Sequence, residues 1–514
     1  MYYNKNVTNT RAKKKAVLFM NMKLKRFIAL ALAALMLCPL FAACGDKTKP
    51  DTTSGSDVSD TTDTSELEET LGVPLTADYG GEDFNILTAG NVAYNDFAFE
   101  EDSALPLASA QYKRKTKVQE DYKIKINEEA KKAYSSGGGP GFMAINQSVN
   151  SGDCTYDLAL IAGYDVSVLA YSGLLYDLNS VPGIDLSKSW WDQKANESLS
   201  VRDVMFFTTG DITCSDNDAT FCLMFNKQLV KNYDLQNPYQ LVDDGNWTLD
   251  TFGTLCKTVT EDLNQDGQMN ENDRFGLLVW DDSVVGIVNA AGQRCCTINT
   301  EGQIELTLYN ETTVAALEKY FDIAYDTQYS FTYQRNIKSG APMWQNDQAL
   351  FWTSLLGNMP TFREMESDFG ILPYPKLNTT QDEYYHTVAP YNSQFICVPL
   401  IQDDVERTGT ITEALAYYGQ KIVLPAYYDV TLIGQSARDE ESESMVEIIL
   451  DTLVFDIGYY YQIGPYNKQL IIMIRNYDRN FASMYDSHKN AATALLSVIN
   501  EYYGKAVDQW TAEK

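Results

Sequence analysis

The sequence predicts an α/β protein built as two lobes, and three observations predict it. Beyond residue 79 about 435 of the 514 residues remain, more than one hydrophobic core ordinarily serves. Runs of period-two apolar alternation there alternate with stretches of helical spacing, the pattern of a largely parallel sheet covered by helices. Hydrophobic residues make up 45% of the chain, enough to fill such cores.

Ahead of the lobes, residues 1–43 hold eight Lys or Arg and no Asp or Glu, and end in an apolar run, Phe27 to Ala43, before Cys44. A positive start, a short apolar segment and small residues make a secretory signal. Phe41-Ala42-Ala43-Cys44 resembles a bacterial lipobox, with Phe41 where Leu is more usual, so Cys44 is the expected lipidated first residue. A transmembrane anchor is the alternative, but the run is slightly short for a span of ~20 residues and rich in Ala. Met22 is a plausible true start, which makes 1–21 an extension. Residues 44–79, dominated after Cys44 by Thr, Ser, Asp and Glu, cannot bury enough surface to fold and read as an acidic tether.

The net charge is −30, and about −38 once residues 1–43 are removed. Such a surface repels nucleic acid and anionic lipid, and no basic run outside the export segment argues otherwise. Of the nine Cys, those beyond Cys38 and Cys44 match no CxxC zinc or redox pattern and read as buried thiols, with one or two disulfides possible.

From Gly80, Asp83–Ala89 alternates as a strand, Leu105–Asp121 has helical spacing, and Tyr122–Asn127 alternates again. Ser135-Ser-Gly-Gly-Gly-Pro-Gly141 lacks the spacing and the Lys of phosphate loops and reads as a turn. Met143–Ser151 is an expected helix and Tyr156–Ile161 a buried strand. Ligands of such a sheet sit at the carboxyl ends of its strands.

Tyr156-Asp-Leu-Ala-Leu-Ile161 followed by Leu169-Ala-Tyr-Ser-Gly-Leu-Leu-Tyr-Asp-Leu178 resembles the second strand and following helix of family 1 extracellular solute-binding proteins, the maltose-binding-protein-like receptors of bacterial ABC importers. Trp190-Trp191-Asp192, Phe221–Lys227, Pro238–Asp250 and Asp368–Lys376 resemble that family in order, over roughly residues 80–500. The resemblance implies a periplasmic-binding-protein-like (type II) fold with a hinge and an interlobe cleft that closes over a solute. It implies lobe 1 over 80–214, lobe 2 over 215–390, a return to lobe 1 over 391–435, and C-terminal helices over 436–514 near the hinge and lobe 2.

Asp262-Leu-Asn264-Gln-Asp266-Gly267-Gln268-Met-Asn270-Glu-Asn-Asp273 follows a calcium-loop pattern, with oxygen ligands at positions 1, 3, 5, 7, 9 and 12 and Gly at the sharp turn. Asp262, Asn264, Asp266 and Asp273 would ligate through side chains, Gln268 through its carbonyl, and Asn270 directly or through water. The last position is Asp rather than Glu, as in dockerin loops, yet no second copy follows. An Asp/Asn turn without metal is the alternative; a bound Ca2+ would be a structural staple of lobe 2.

Catalytic constellations are scarce. The chain has no HExxH, GxSxG or GxxxxGK[ST], and its only histidines are His386 and His488. Zinc hydrolysis and a Ser-His-Asp triad are disfavoured, since each needs specific partners at bonding distance. Abundant carboxylates leave a glycosidase pair open as the enzyme alternative. An adhesion or interaction lipoprotein is a third class.

Ligand contacts are expected on strand-end loops: Asn91 and Tyr94 after the first strand, Tyr164 and Asp165 after the strand at 156–161, and Asp216 and Asn217 at the crossing. Lobe 2 adds Trp280, Trp344 and Trp352, and the return to lobe 1 adds Tyr391 and Asn392. Aromatic faces stack on the C–H patches of a pyranose, and Asp and Asn bond its hydroxyls, so this inventory favours a carbohydrate. The expectation is a non-enzymatic, monomeric, lipid-anchored receptor on the extracellular face of the membrane. It binds a mono- or oligosaccharide and calcium, and works with ABC permease subunits rather than nucleic acid.

Overall fold

The computed structural model describes residues 70–91, 96–100, 105–362, 364–428 and 439–512. The export segment, Cys44, most of the tether and Tyr94 lie outside the described residues.

The lobe 1 sheet is formed by β1 (Glu82–Gly90), β2 (Ile124–Lys132), β3 (Leu158–Ala162) and, from late in the chain, β9 (Gln394–Cys397), in the order β9-β3-β1-β2. β1 pairs in parallel with β2 and β3, while β9 closes the sheet antiparallel to β3. Helices α1 (Pro106–Tyr122) and α2 (Pro140–Ser151) connect β1 to β2 and β2 to β3. Each starts on Pro, which has no N–H to leave unpaired in the first turn, and stops on a residue with positive φ, Lys123 at 51° and Gly152 at 74°. β2 runs five residues past the alternation that ends at Asn127, through Glu128-Glu-Ala-Lys-Lys132. It is the edge strand, so its backbone pairs with β1 although its side chains gain little burial.

Lobe 2 holds β4 (Phe221–Asn226), β5 (Phe275–Val279), β6 (Ser330–Thr332), β7 (Ala349–Leu355) and β8 (Phe369–Leu372), in the order β8-β4-β7-β5-β6. The sheet is mixed: β7 runs parallel to β5 and antiparallel to β4. Every residue of β7 is buried, as expected of a central strand covered on both faces.

Three chain segments lie side by side between the lobes. The Ala389 N–H donates to the Ala219 carbonyl at 2.9 Å, and the Val388 N–H to Val454 at 3.1 Å. His386–Thr387 pairs in parallel with Leu453–Val454. The first two of these segments lead into and out of lobe 2. The third, near Leu453, follows α6 (Glu440–Leu450), which packs on β8. Beyond it α7 (Ile457–Tyr460) packs on α3 (Gly163–Tyr171) of lobe 1, and α8 (Tyr466–Asn476) packs on α4 (Ser283–Ala290) of lobe 2. The chain ends in α9 (Phe481–Ala512).

Trp190 and Trp191 are core residues whose indole N–H groups both donate, at 3.0 Å each, to Glu413 on α5 (Val405–Tyr418). All seven described cysteines are free. Among the described residues no helix is long and apolar enough to cross a membrane.

Candidate ligand cleft

The strand ends of the two lobes face each other across the crossings, and a tyrosine cluster joins them. Tyr164, at the start of α3 directly after β3, and Tyr391, three residues before β9, are brought within 6.2 Å of each other, centroid to centroid. Tyr134, just beyond β2, completes the group at 5.8 Å from Tyr164 and stacks on Tyr391 at 6.2 Å with 27° between the rings. Tyr459 of α7 meets Tyr164 edge-on at 6.0 Å.

The cluster reaches lobe 2 through Tyr391. The Tyr391 hydroxyl donates to Asp282 Oδ2 at 2.8 Å, from the residue that leads into α4. Burial, and then the neighbouring Asp281, push the Asp282 carboxyl up to about 6; the Tyr391 bond and Arg475 pull the other way. Asp281 is held by Arg475 of α8 and by Gln334 Nε2 at 2.6 Å. On the lobe 1 side, Asn467 Nδ2 of the same helix donates to the Tyr164 hydroxyl at 2.9 Å. The C-terminal helices thus hold the cleft residues of both lobes.

Asn91 and Asn392 meet, Nδ2 donating to Oδ1 at 2.7 Å, on exposed ends of β1 and β9. Asp165 turns inward within lobe 1 instead. Its carboxylate accepts the N–H groups of Ser135 and Gly137 at 3.0 Å and of Gly139 at 3.3 Å, so it fastens the glycine-rich turn. A Cβ on Gly139 would stand 1.9 Å from Asp165 Oδ2, which explains the glycine there.

Asp216 and Asn217 line a separate cavity of about 300 Å3 beside the first crossing, with Asp192, Asp211, Tyr428 and Asp451 among its walls. Burial, and then the charges of Asp192 and Asp211, raise the Asp216 carboxyl well above the usual range, and burial brings Asp211 to about 7. None of the four tyrosines lines this cavity.

The tryptophans of lobe 2 pack its interior. Trp344 is fully buried with its ring 5.9 Å from that of Trp352, which in turn meets Phe362 and Tyr333 edge-on. Trp280 is half-buried against Phe221 at 4.8 Å. Trp352 does not end its strand, since β7 continues three residues past it to Leu355, and its side chain joins the core around Trp344. Sequence reasoning missed Tyr134, Asp282 and Tyr459. Asp282 was within reach of the strand-end rule, which stopped at Trp280; Tyr459 had no local signal.

The 262–273 loop turns on Gly267, at φ 81°. Asp262 Oδ2 accepts the Gly267 N–H at 2.8 Å, whereas its Oδ1 is buried without a partner among the described residues. Asp273, fully buried, accepts from the Leu263 and Asn270 N–H groups at 3.1 and 2.8 Å. Among the described residues no three His, Cys, Asp or Glu side chains gather as a metal site; this loop would also draw on asparagine oxygens and a carbonyl. The positive-φ glycine and the orphaned Asp262 oxygen fit a hard cation.

Both histidines lack the setting of a general base. His386 is buried, its Nε2 accepting the Tyr374 N–H at 3.1 Å, and burial lowers it to about 3. His488 bonds Ser487 and the Met484 carbonyl on α9.

The model of the bacterial extracellular solute-binding protein family matches residues 101–394. No curated protein matches by sequence. Among solved structures, the fold is similar to the ABC substrate-binding protein Lmo0181 from Listeria monocytogenes in complex with cycloalternan: TM-score 0.51, 14% identity, 82% of this chain and 99% of that one. The maltose/maltodextrin-binding domain MalE from Bdellovibrio bacteriovorus bound to maltotriose gives 0.51 and 12%, over 81% and 99%. The cyclic alpha-maltosyl-1,6-maltose binding protein from Arthrobacter globiformis gives 0.52 and 14%, over 81% and 99%.

Proposed function

The chain belongs to the bacterial extracellular solute-binding protein family, and we propose that it is a lipid-anchored receptor that captures a saccharide between its lobes and delivers it to the permease of an ABC importer. The observation that carries this reading is Tyr391, whose ring packs among Tyr134 and Tyr164 of lobe 1 while its hydroxyl bonds Asp282 of lobe 2. Aromatic faces and a carboxylate converge from both lobes at strand ends. Stacking on C–H patches and carboxylate acceptance from hydroxyls are what a pyranose requires. In the open state the Tyr391 hydroxyl and Asp282 are released to the solute, and closure sequesters it and creates the shape a permease recognises. The similar solved structures, one bound to maltotriose and one of a cyclic alpha-maltosyl-1,6-maltose binding protein, support the saccharide class.

The test is a thermal-shift screen of the domain from about Gly80 against mono- and oligosaccharides, peptides and polyamines, with product analysis of each hit. A saccharide that raises the melting temperature and is recovered intact supports the receptor; cleaved sugar favours a glycosidase, and a peptide or polyamine hit refutes the saccharide class. Anchoring is tested separately: Cys44→Ser should release the protein from the membrane fraction.

Calcium is the second proposal. Asp262, Asn264, Asp266, Asp273, the Gln268 carbonyl and Asn270 would hold it, and the ion would supply a cross-link between the ends of the loop. The native state then gains stability in calcium relative to chelator.

A further inference from the structure

We infer that the carboxamide of Gln394 is a specificity-determining group of the cleft, reading two neighbouring hydroxyls of a neutral saccharide; the inference rests on the saccharide reading above. Gln394 is fully buried, and neither Oε1 nor Nε2 has a hydrogen-bond partner among the described residues. Its backbone is fully engaged: the N–H donates to Ser215 Oγ at 2.9 Å, and the carbonyl accepts from the same hydroxyl at 3.4 Å. Only the side chain is left over. A leucine would fill the same volume without stranding a donor and an acceptor, so packing does not account for a glutamine here.

The residue's place accounts for it better. Gln394 opens β9 opposite Ala162, the last residue of β3, and its side chain lies across toward the end of β1. A Cβ on Gly90 would stand 3.4 Å from both its Cγ and its Nε2. The next residue beyond Gly90 is Asn91, whose exposed bond to Asn392 joins the same two strand ends. Gln394 therefore lies beside the end of β1, next to the strand ends that the Asn91–Asn392 bond joins. A carboxamide offers one acceptor and one donor group side by side, which suits adjacent hydroxyls of a sugar, one donating and one accepting. Carrying no charge, it gives no advantage to a cation or an anion. Because Gln394 is fully buried, the saccharide reaches it when the side chains at these strand ends open.

The test is calorimetric titration of the wild type and Gln394→Leu with D-glucose, D-galactose, D-xylose and maltotriose, and with the 2-, 3- and 6-deoxy forms of the hexoses, alongside the melting temperature of each protein without sugar. The expected result is an affinity about 10- to 100-fold lower in Gln394→Leu, with an unliganded melting temperature equal to or above that of the wild type. The wild type should also lose affinity for the deoxy sugar lacking a hydroxyl that Gln394 reads, while the variant no longer discriminates at that position. Equal affinity in the two proteins overturns the inference and leaves the saccharide reading intact. A variant that melts lower and discriminates as the wild type does assigns Gln394 a structural role and also overturns it. If the wild type binds none of these sugars, the saccharide reading falls and the inference with it.

Discussion

Replacing Asp282 by Asn should make the unliganded protein more stable at neutral pH and leave it unchanged near pH 4. The carboxyl is raised from 3.8 to about 6 in the folded chain, chiefly by burial and next by the adjacent Asp281. Between those two values the native state binds more proton than the unfolded one, so the stability contributed by this group is present below about pH 4 and is lost as pH rises through about 6. At about 1.36 kcal/mol per pH unit the loss is at most about 3 kcal/mol, and the partial exposure of the side chain brings it toward about 1–2 kcal/mol. Asn keeps an oxygen to accept from Tyr391 and removes the charge. An unfolding entropy of about 2.1 cal/mol/K per residue over about 440 residues makes 1 kcal/mol worth about 1 °C. The melting temperature of Asp282→Asn, measured from pH 4 to 8, should therefore separate upward from the wild type by about 1–3 °C, with the gap opening between pH 4 and 6. The difference between the two proteins cancels the other raised carboxyls, among them Asp216 and, each near 7, Glu128, Asp211 and Glu413. A gap that is constant with pH, or one that opens downward, refutes the argument that this carboxylate is held at the cleft against its charge.

Glu413→Leu strands the indole N–H groups of Trp190 and Trp191 inside lobe 1; a loss of about 2–5 kcal/mol is expected by urea denaturation, whereas Glu413→Gln should lose less because one acceptor survives. Gly139→Ala drives a methyl into Asp165 Oδ2 and the Ser135 N–H, and should cost about 1–3 kcal/mol, read as a lowered urea midpoint with unchanged slope. Calcium at a hundredfold excess over its dissociation constant should stabilise the wild type by about 2.7 kcal/mol relative to chelator; Asp262→Ala should abolish the difference, and a wild type indifferent to chelator removes the metal from lobe 2.

Much of the architecture was legible because it is local. The Asp83–Ala89 alternation became β1 with one residue added at each end, and the Leu105–Asp121 spacing became α1 shifted by one. β2 outran its alternation because an edge strand is held by backbone pairing that side-chain patterning does not record. The candidate site was legible in part as geometry. Tyr164 with Tyr391 and Asn91 with Asn392 were named from strand ends, and the fold brings each pair together; Trp344 was named for its chemistry and packs the core.

The sequence by itself determined which segments form strands and helices and which family the order of its motifs resembles, since periodicity, caps and motif spacing act over a few residues. Only the tertiary structure decided which strand ends face each other. Tyr391 reaches Asp282 across 109 positions, and Asn467 reaches Tyr164 across 303. It also decided that Asp165 fastens a turn and that, among the described residues, the carboxamide of Gln394 beside Gly90 is left unpaired. A side chain's partners depend on what the packed chain brings beside it, and no local pattern encodes that neighbour.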